Sequence, residues 1–300
     1  VSQRIFVVVN PASGKGRGAR LVDPIVSALR SGGAEVEHGL SAGPGEETTI
    51  AHRALDRGFR TLVAVGGDGT WSNVGNAILR SGHPAHLGLV AGGTGCDLAK
   101  TLGVPARDVA AAARVVLGGK GRAIDVGRIE DKYFLNVAGF GFDIAVIEDA
   151  RTVRWLRGDL VYLWSALRQL RAFPGFAVEV AGNGEAGQRH EHLMLIVANA
   201  RIFGGGFQIA PGGEIDDGRL DAVSFLNMGL GRRLAIMGRL MKGTHEGQPE
   251  VRRSTASSFR LRFDRPPAYE TDGEWNQAAS AELVIESVPR ALSVLVPAGP

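Results

Sequence analysis

The sequence predicts an α/β chain that turns β-rich: an N-terminal Rossmann-like α/β nucleotide domain, then a C-terminal β-sandwich domain with helical insertions. Three observations carry this. The first third alternates β-branched runs with helical patterns, as a mostly parallel sheet covered by helices requires. Beyond about Arg122 extended segments dominate, separated by turns such as Gly182-Asn183-Gly184. The glycines, 43 of 300 residues and about twice the usual share, gather where strands of the first part end.

In order, residues 5–9 read as a buried strand. In the helical pattern that follows, Asp23-Pro24 suits an N-cap with proline at the first helical position, and Gly32 is the stop; a longer, kinked helix stays open. Then come a strand over 34–37, a helix over 46–56, a strand over 61–65, a helix, and a strand over 87–90. The second part offers extended runs over 133–137, 176–180, 192–198, 219–225, 257–263 and 281–288, with helical stretches over 151–172 and 232–242. The expected domains are 1–125 and 126–288, with a return of 289–300 to the first left open.

Composition excludes several classes. Glycine without a Gly-X-Y period is not collagen, and 44% hydrophobic against 22% charged residues is not disorder. The net charge of +3, without a clustered basic stripe, speaks against nucleic acid as a partner. Of 34 basic residues 29 are arginine, the side chain suited to forked phosphate contacts, although genomic base composition explains that equally well. One cysteine, Cys96, rules out an internal disulfide and a thiolate-cluster zinc site, and fits a reducing cytoplasm. No signal-peptide pattern opens the sequence and no apolar run is long enough to span a bilayer. The expectation is a cytoplasmic protein, peripheral at the inner membrane face.

Three loops hold nine of the glycines: Gly14, Gly16 and Gly18, then Gly66, Gly67 and Gly69, then Gly92, Gly93 and Gly95. Ligands of open α/β sheets bind at the carboxyl ends of strands, and glycine lets backbone approach a phosphate. Any one loop reads as a tight turn. Three in succession, each with Lys15, Asp68 or Asp97, read as a nucleotide site, although neither the P-loop nor the G-x-G-x-x-G pattern is met.

Gly66-Gly67-Asp68-Gly69-Thr70 after a buried strand resembles the GGDGT motif of the diacylglycerol kinase, sphingosine kinase and NAD kinase superfamily. Asn10-Pro11-Ala12-Ser13-Gly14-Lys15 resembles the NPxSGK opening of its lipid kinases, and Gly93-Thr94-Gly95-Cys96-Asp97-Leu98-Ala99 their GTGNDFA segment. Ile124-Asp125-Val126-Gly127, the run 136–143, Asp216-Asp217-Gly218 and Asp272-Gly273-Glu274 follow in the family's order. The resemblance spans almost the whole chain and points to bacterial diacylglycerol kinase-like lipid kinases.

What it implies is an ATP-dependent kinase of a membrane-lipid hydroxyl, most simply diacylglycerol, assisted by Mg²⁺. Asn10, Pro11, Ala12, Ser13, Gly14, Ser41, Gly66, Gly67, Asp68, Gly69, Thr70, Trp71, Ser72 and Thr94 would line the ATP site. Glu274, after a flexible Asp272-Gly273 turn, would be the general base. Lys15, Asp68, Asp97 and Asp125 would form a polar network between the domains around a catalytic metal and water. Asp217, with main-chain oxygens of Glu214 and Arg219, would hold a structural Mg²⁺. Positioning, metal charge and a nearby carboxylate are what phosphoryl transfer asks of a protein. By themselves, however, Asp125 reads as a cap or an arginine partner, Asp216 and Asp217 as a turn, and Glu274 as a surface residue.

Two departures stand out: Cys96 replaces the family's usual asparagine, and Ser72-Asn73 its Asn-Glu. Phosphatidylglycerol, a sphingoid base, ceramide or NAD as acceptor stay open, as do a non-catalytic lipid- or nucleotide-binding relative and a homodimer. Arginines at 151, 154, 157, 168 and 171 beside Trp155, Tyr162 and Trp164, and Arg232, Arg233, Arg239 and Lys242 among apolar residues, suit either an anionic membrane surface or ordinary surface helices.

Overall fold

Five consecutive apolar residues after Arg4 make β1 (Arg4–Val9) a strand buried on both faces, and the first unit is arranged around it. The computed structural model describes residues 2–153 and 159–298. It separates into two units, Val1–Val126 with Gly204–Gly206 and Pro289–Pro300, and Gly127–Phe203 with Phe207–Val288. In the first, β1 is followed by α1 (Ser13–Ser31), β2 (Glu35–Leu40), α2 (Glu46–Asp56), β3 (Thr61–Gly66), α3 (Asp68–Ser81), β4 (His86–Ala91), α4 (Asp97–Leu102) and α5 (Val109–Gly118). The strands are parallel in the order β2-β1-β3-β4, and Ser293 and Val294 pair beside β4.

Period-two alternation sends Ile5, Val7 and Val9 to one face, where Leu21, Ile25 and Leu29 of α1 and Val116 of α5 cover them. Phe6, Val8, Leu62 and Ala64 are equally buried; Phe6 meets Phe59 edge-on, and Trp71 of α3 bonds the Ala64 carbonyl. Helix α1 does not start at Asp23. It begins at Ser13, leaves helical geometry at Gly14, Lys15 and Gly16 (φ 55°, 59° and 84°), and runs on through an exposed Pro24. The longer, kinked helix is the one that forms. An interior proline costs about 3 kcal/mol, and full burial of a single leucine or isoleucine recovers roughly 1.5–3 kcal/mol. Leu21 and Val22, both buried and both before Pro24, belong to the helix only if it runs on through the proline, and they suffice.

Into and through the second unit run β5 (Lys120–Ile129), β6 (Lys132–Phe134), β7 (Val137–Gly141), α6 (Phe142–Thr152), α7 (Asp159–Ala172), β8 (Phe176–Gly182), β9 (Gln188–Ala198), β10 (Ile202–Phe203), β11 (Phe207–Gln208), β12 (Leu220–Leu226), α8 (Leu230–Leu240), β13 (Val251–Ala256), β14 (Ser258–Phe263), β15 (Ala268–Thr271), β16 (Glu274–Gln277) and β17 (Glu282–Val296). Antiparallel pairing runs β16-β15-β7-β9-β8-β14 and on to the first residues of β17, with β12 and β13 branching from β9. Strand β9 is buried on both faces: Leu195 and Val197 pack with Phe140 and Phe259, Ile196 and Ala198 with Phe225 and Ile236.

The expected helix over 151–172 is α7 from Asp159 onward; its residues 154–158 lie outside the described ones. Helix α6 is unexpected. Its inward positions Phe142, Val146 and Asp149 do recur at helical spacing, but the third is a carboxylate, so the apolar stripe is too short to announce the helix.

His192, buried in β9, directs Nδ1 at the His190 carbonyl at 2.9 Å, and burial pushes its pKa down to about 4. Unfolded histidine titrates near 6.5, so stability from this site is complete above about 6.5 and falls by about 3 kcal/mol as pH drops to 4. Urea unfolding between pH 7 and pH 4.5 is expected to show this loss, with a smaller slope in His192→Gln.

Candidate functional site

Because β1 to β4 are parallel, their carboxyl ends lie on one edge of the sheet, where the three glycine loops meet. The amide of Gly92 donates to the Gly66 carbonyl at 2.7 Å and that of Gly93 to the same oxygen at 3.0 Å. A Cβ on Gly14 would overlap the Gly92 carbonyl oxygen, and one on Gly93 would come within 2.7 Å of Gly67 Cα. No other residue allows this approach. The Asn10 side chain shapes the first loop, its Oδ1 accepting from the amides of Ala12 and Ser13 at 3.0 and 3.2 Å. The left-handed residues at 14–16 keep the Gly16 amide on the Ala12 carbonyl at 3.3 Å, whereas the first amides of α3 have no partner within that helix and are ready-made phosphate donors.

Among the carboxylates of this unit, Asp68 Oδ1 accepts the Leu98 amide at 3.0 Å, and its Oδ2 lies against Gly95. Asp97 is buried: Lys100 Nζ reaches Oδ1 at 2.9 Å and the Gly205 amide reaches Oδ2 at 2.7 Å. Lys100 also donates to the Gly205 carbonyl at 2.9 Å, so a tip of chain from 204–206 is clamped to α4. Sequence reasoning missed Lys100 and Gly205, since no spacing links 97 to 205. Asp125 is fully buried and its Oδ1 accepts the Arg290 amide at 2.7 Å. Lys15 is exposed in the left-handed run.

Of the predicted ATP-lining residues, Trp71 is a core residue, fully buried under β3, and offers a ligand no side-chain group. Ser41 donates to Glu47, a buried carboxylate that Asn73 Nδ2 also approaches at 3.4 Å. The acid missing from position 73 is thus matched by one from α2. Cys96 has φ 56°, a left-handed conformation that asparagine tolerates better and that costs cysteine on the order of 1 kcal/mol. Burial, then the charge of Asp68, pushes its thiol up to about 11, so it stays protonated.

In the second unit, Thr271 pairs with Glu274 across a two-residue turn at Asp272 and Gly273, with φ 50° and 87°, the type I′ geometry. The expected flexibility of this turn is not found. Asp272 is buried, and its carboxylate accepts the amides of Leu135, Asn136 and Val137 at 2.7, 2.8 and 3.1 Å. Glu274 is therefore presented, exposed, on a pinned support. The adjacent Trp275 donates to Glu148 at 3.1 Å. Glu148 lines a cavity of about 650 Å³ whose walls include Phe140, Ile144, Phe173, Phe176 and Phe263.

Asp217 is exposed and its Oδ1 accepts the Arg219 amide at 2.9 Å, a local turn made with Gly218. Among the described residues no three His, Cys, Asp or Glu side chains cluster to hold a metal. Asp217 offers one exposed carboxylate, the hard oxygen donor that Mg²⁺ takes while keeping several waters.

Residues 4–129 match the model of the diacylglycerol kinase catalytic domain, and residues 136–296 that of the YegS C-terminal NAD kinase beta sandwich-like domain. The chain is 26% identical over 297 residues to a diacylglycerol kinase of Bacillus subtilis (strain 168), covering 98% of this chain and 97% of that one. It is 28% identical over 299 residues to a diacylglycerol kinase of Mycobacterium tuberculosis (strain ATCC 25618 / H37Rv), covering 98% and 95%. Two solved structures share the fold. One is a diacylglycerol kinase from Bacillus anthracis str. Sterne, TM-score 0.76 at 20% identity, covering 98% of this chain and 97% of that one. The other is an NAD kinase from Archaeoglobus fulgidus in complex with ATP, TM-score 0.52 at 15% identity, covering 97% and 92%.

Removing the Asp272 carboxylate strands buried amides, each at about 1–3 kcal/mol. Asp272→Ala is expected to lose about 3–5 kcal/mol of unfolding free energy in urea, a large effect for one substitution.

Proposed function

The chain belongs to the diacylglycerol kinase family and is a phosphotransferase with an alcohol acceptor, and within that family we propose that it transfers the γ-phosphate of ATP to a hydroxyl of a membrane lipid, diacylglycerol first. The observation that carries the nucleotide half is the meeting of three glycine loops at the carboxyl edge of a parallel sheet. Asn10 to Gly14, Ser41, Gly66 to Thr70, Ser72 and Thr94 would hold ATP, chiefly through backbone amides, while Lys15, Asp68, Asp97 and Asp125 set the charge around it. Asp97 does so while clamped by Lys100. The lipid half rests on the cavity whose walls include Phe140, Phe173, Phe176 and Phe263, large enough for part of an acyl chain.

Glu274 is the general base. It takes the proton of the acceptor hydroxyl as that oxygen bonds to the γ-phosphorus and the bond to the β-γ bridging oxygen breaks, releasing ADP. Mg²⁺, when bound, supplies charge neutralisation on the phosphates, and Asp217 with Glu214 and Arg219 would hold a structural ion in the second unit.

Contact with the membrane is assigned to two helices, although not by all the basic residues expected there. Arg233 is buried and donates to the carbonyls of Leu170, Phe173 and Met228, Arg232 pairs with Glu250, and Arg168 with Asp149. Outward beside the exposed Arg171, Arg239 and Lys242 stand apolar side chains: Leu163, Trp164 and Leu167 on α7, Leu230 and Leu234 on α8, and Met241 just after it. No described helix is long and apolar enough to cross a bilayer.

Glu274→Gln is expected to lower turnover of diacylglycerol with Mg-ATP by about 10²–10⁴-fold while sparing ATP binding; equal turnover would remove Glu274 from the mechanism. Mass spectrometry of a membrane lipid extract after reaction should show phosphatidic acid as the main new species, and another phospholipid would reassign the acceptor. Leu163→Asp with Leu234→Asp should abolish co-sedimentation with liposomes at unchanged stability, and undiminished binding would exclude this face.

A further inference from the structure

Two carboxyl groups lie buried beside the turn that carries Glu274, and the chemistry above uses neither. Glu270 in β15 is 4% exposed, and the Asp143 residue keeps some surface but both its carboxylate oxygens are buried and lack a hydrogen-bond partner among the described residues. Gly139 of β7, opposite Glu270 in the register, makes their meeting possible. A Cβ there would overlap Asp143 Oδ2 and come within 2.9 Å of Glu270 Oε1, so one methyl-sized space adjoins both oxygens. The other oxygen, Glu270 Oε2, accepts the Gly273 amide at 2.5 Å, inside the turn.

Two buried carboxylates so close do not both ionise. Burial, then the charge of Asp143, pushes Glu270 well above the usual carboxylate range, with Asp272 adding to the rise and the Gly273 amide opposing it. Burial raises Asp143 to about 7, against the pull of amides at the start of α6. Of the elements against β15, α6 carries Glu148, Asp149 and Arg151 besides Asp143, β7 carries no titratable side chain, β16 carries Glu274, and β6 carries Lys132 and Tyr133.

We infer that Glu270 is a positioning residue held as the carboxylic acid: its Oε1–H donates to Asp143 while Oε2 receives the Gly273 N–H, so that one proton ties α6 to the turn that aims Glu274. The role rests on the reading of Glu274 as base. Loss of that proton sets two negative charges side by side, and turnover falls on the alkaline side.

Three variants test this, each assayed for kcat and KM for ATP across pH 6–9.5 and by infrared spectroscopy for the carboxylic C=O stretch. Glu270→Ala should lower kcat about tenfold without moving KM for ATP. Glu270→Gln, which keeps a donor and an acceptor in place, should restore most of that loss and flatten the alkaline fall seen in the wild type. The protonated-carboxyl band at pH 7.5 should vanish in Glu270→Gln and persist in Glu274→Gln. A band unchanged in Glu270→Gln, or a Glu270→Gln enzyme as slow as Glu270→Ala, overturns the proposal; the infrared readout holds even where Glu270→Ala does not fold. An active Glu274→Gln that keeps the band overturns the base assignment alone and leaves the Glu270 proton standing.

Discussion

The first unit depends on a constraint of space: three strand ends must bring backbone into contact with backbone. Gly66 serves as acceptor for two successive amides of the third loop, and Gly14 lies where any side chain would strike the Gly92 carbonyl. The closeness is set by sheet geometry, since neighbouring strands sit about 4.8 Å apart and their loops can diverge only if side chains push them. Without side chains they stay together, and their amides are concentrated on one edge. Around that edge the charged groups are built in as structure first: Asp97 is neutralised by Lys100 and anchored by Gly205 before any ligand arrives.

The second unit solves a different problem, the rigid presentation of one exposed carboxylate. A two-residue turn with both residues left-handed fixes the chain reversal, and Asp272 fixes the turn to the entry of β7 through three amides. A buried carboxylate satisfied by several backbone amides is a charge that resists displacement. Glu270 adds a second attachment through Gly273, and through Asp143 links the same turn to α6. Glu274 inherits the order of its neighbours while remaining exposed. The same α6 lines the cavity through Ile144 and Glu148, so the support of Glu274 and the wall of the cavity share one element.

Strands β1, β3 and β4, unlike the edge strand β2 with its single buried residue, were legible as short apolar runs buried on both faces, β3 and β4 leading straight into glycine. The glycine loops were legible as a group for the same reason. Helix α6 was not, because its inward stripe holds only Phe142 and Val146 before it reaches the carboxylate of Asp149. Trp71 was misplaced because proximity to a motif says nothing about which way a side chain turns, and the inward turn is fixed by a bond to Ala64. Arg233 and its neighbours looked like a basic surface; the buried carbonyl ends of α7 claim it instead.

By itself the sequence determined the alternation of strands and helices from β1 to β4, the two-part organisation, and the set of motifs that names the family. These are properties of local pattern, periodicity and turn chemistry, readable within a dozen residues. Only the tertiary structure decided that Asp97 meets Gly205, that Asp272 holds residues 135–137, and that Glu270 faces Asp143 across Gly139. Each joins segments far apart in the chain, and each depends on burial, which withdraws water as the competing partner and leaves a carboxylate only the protons and amides the fold supplies.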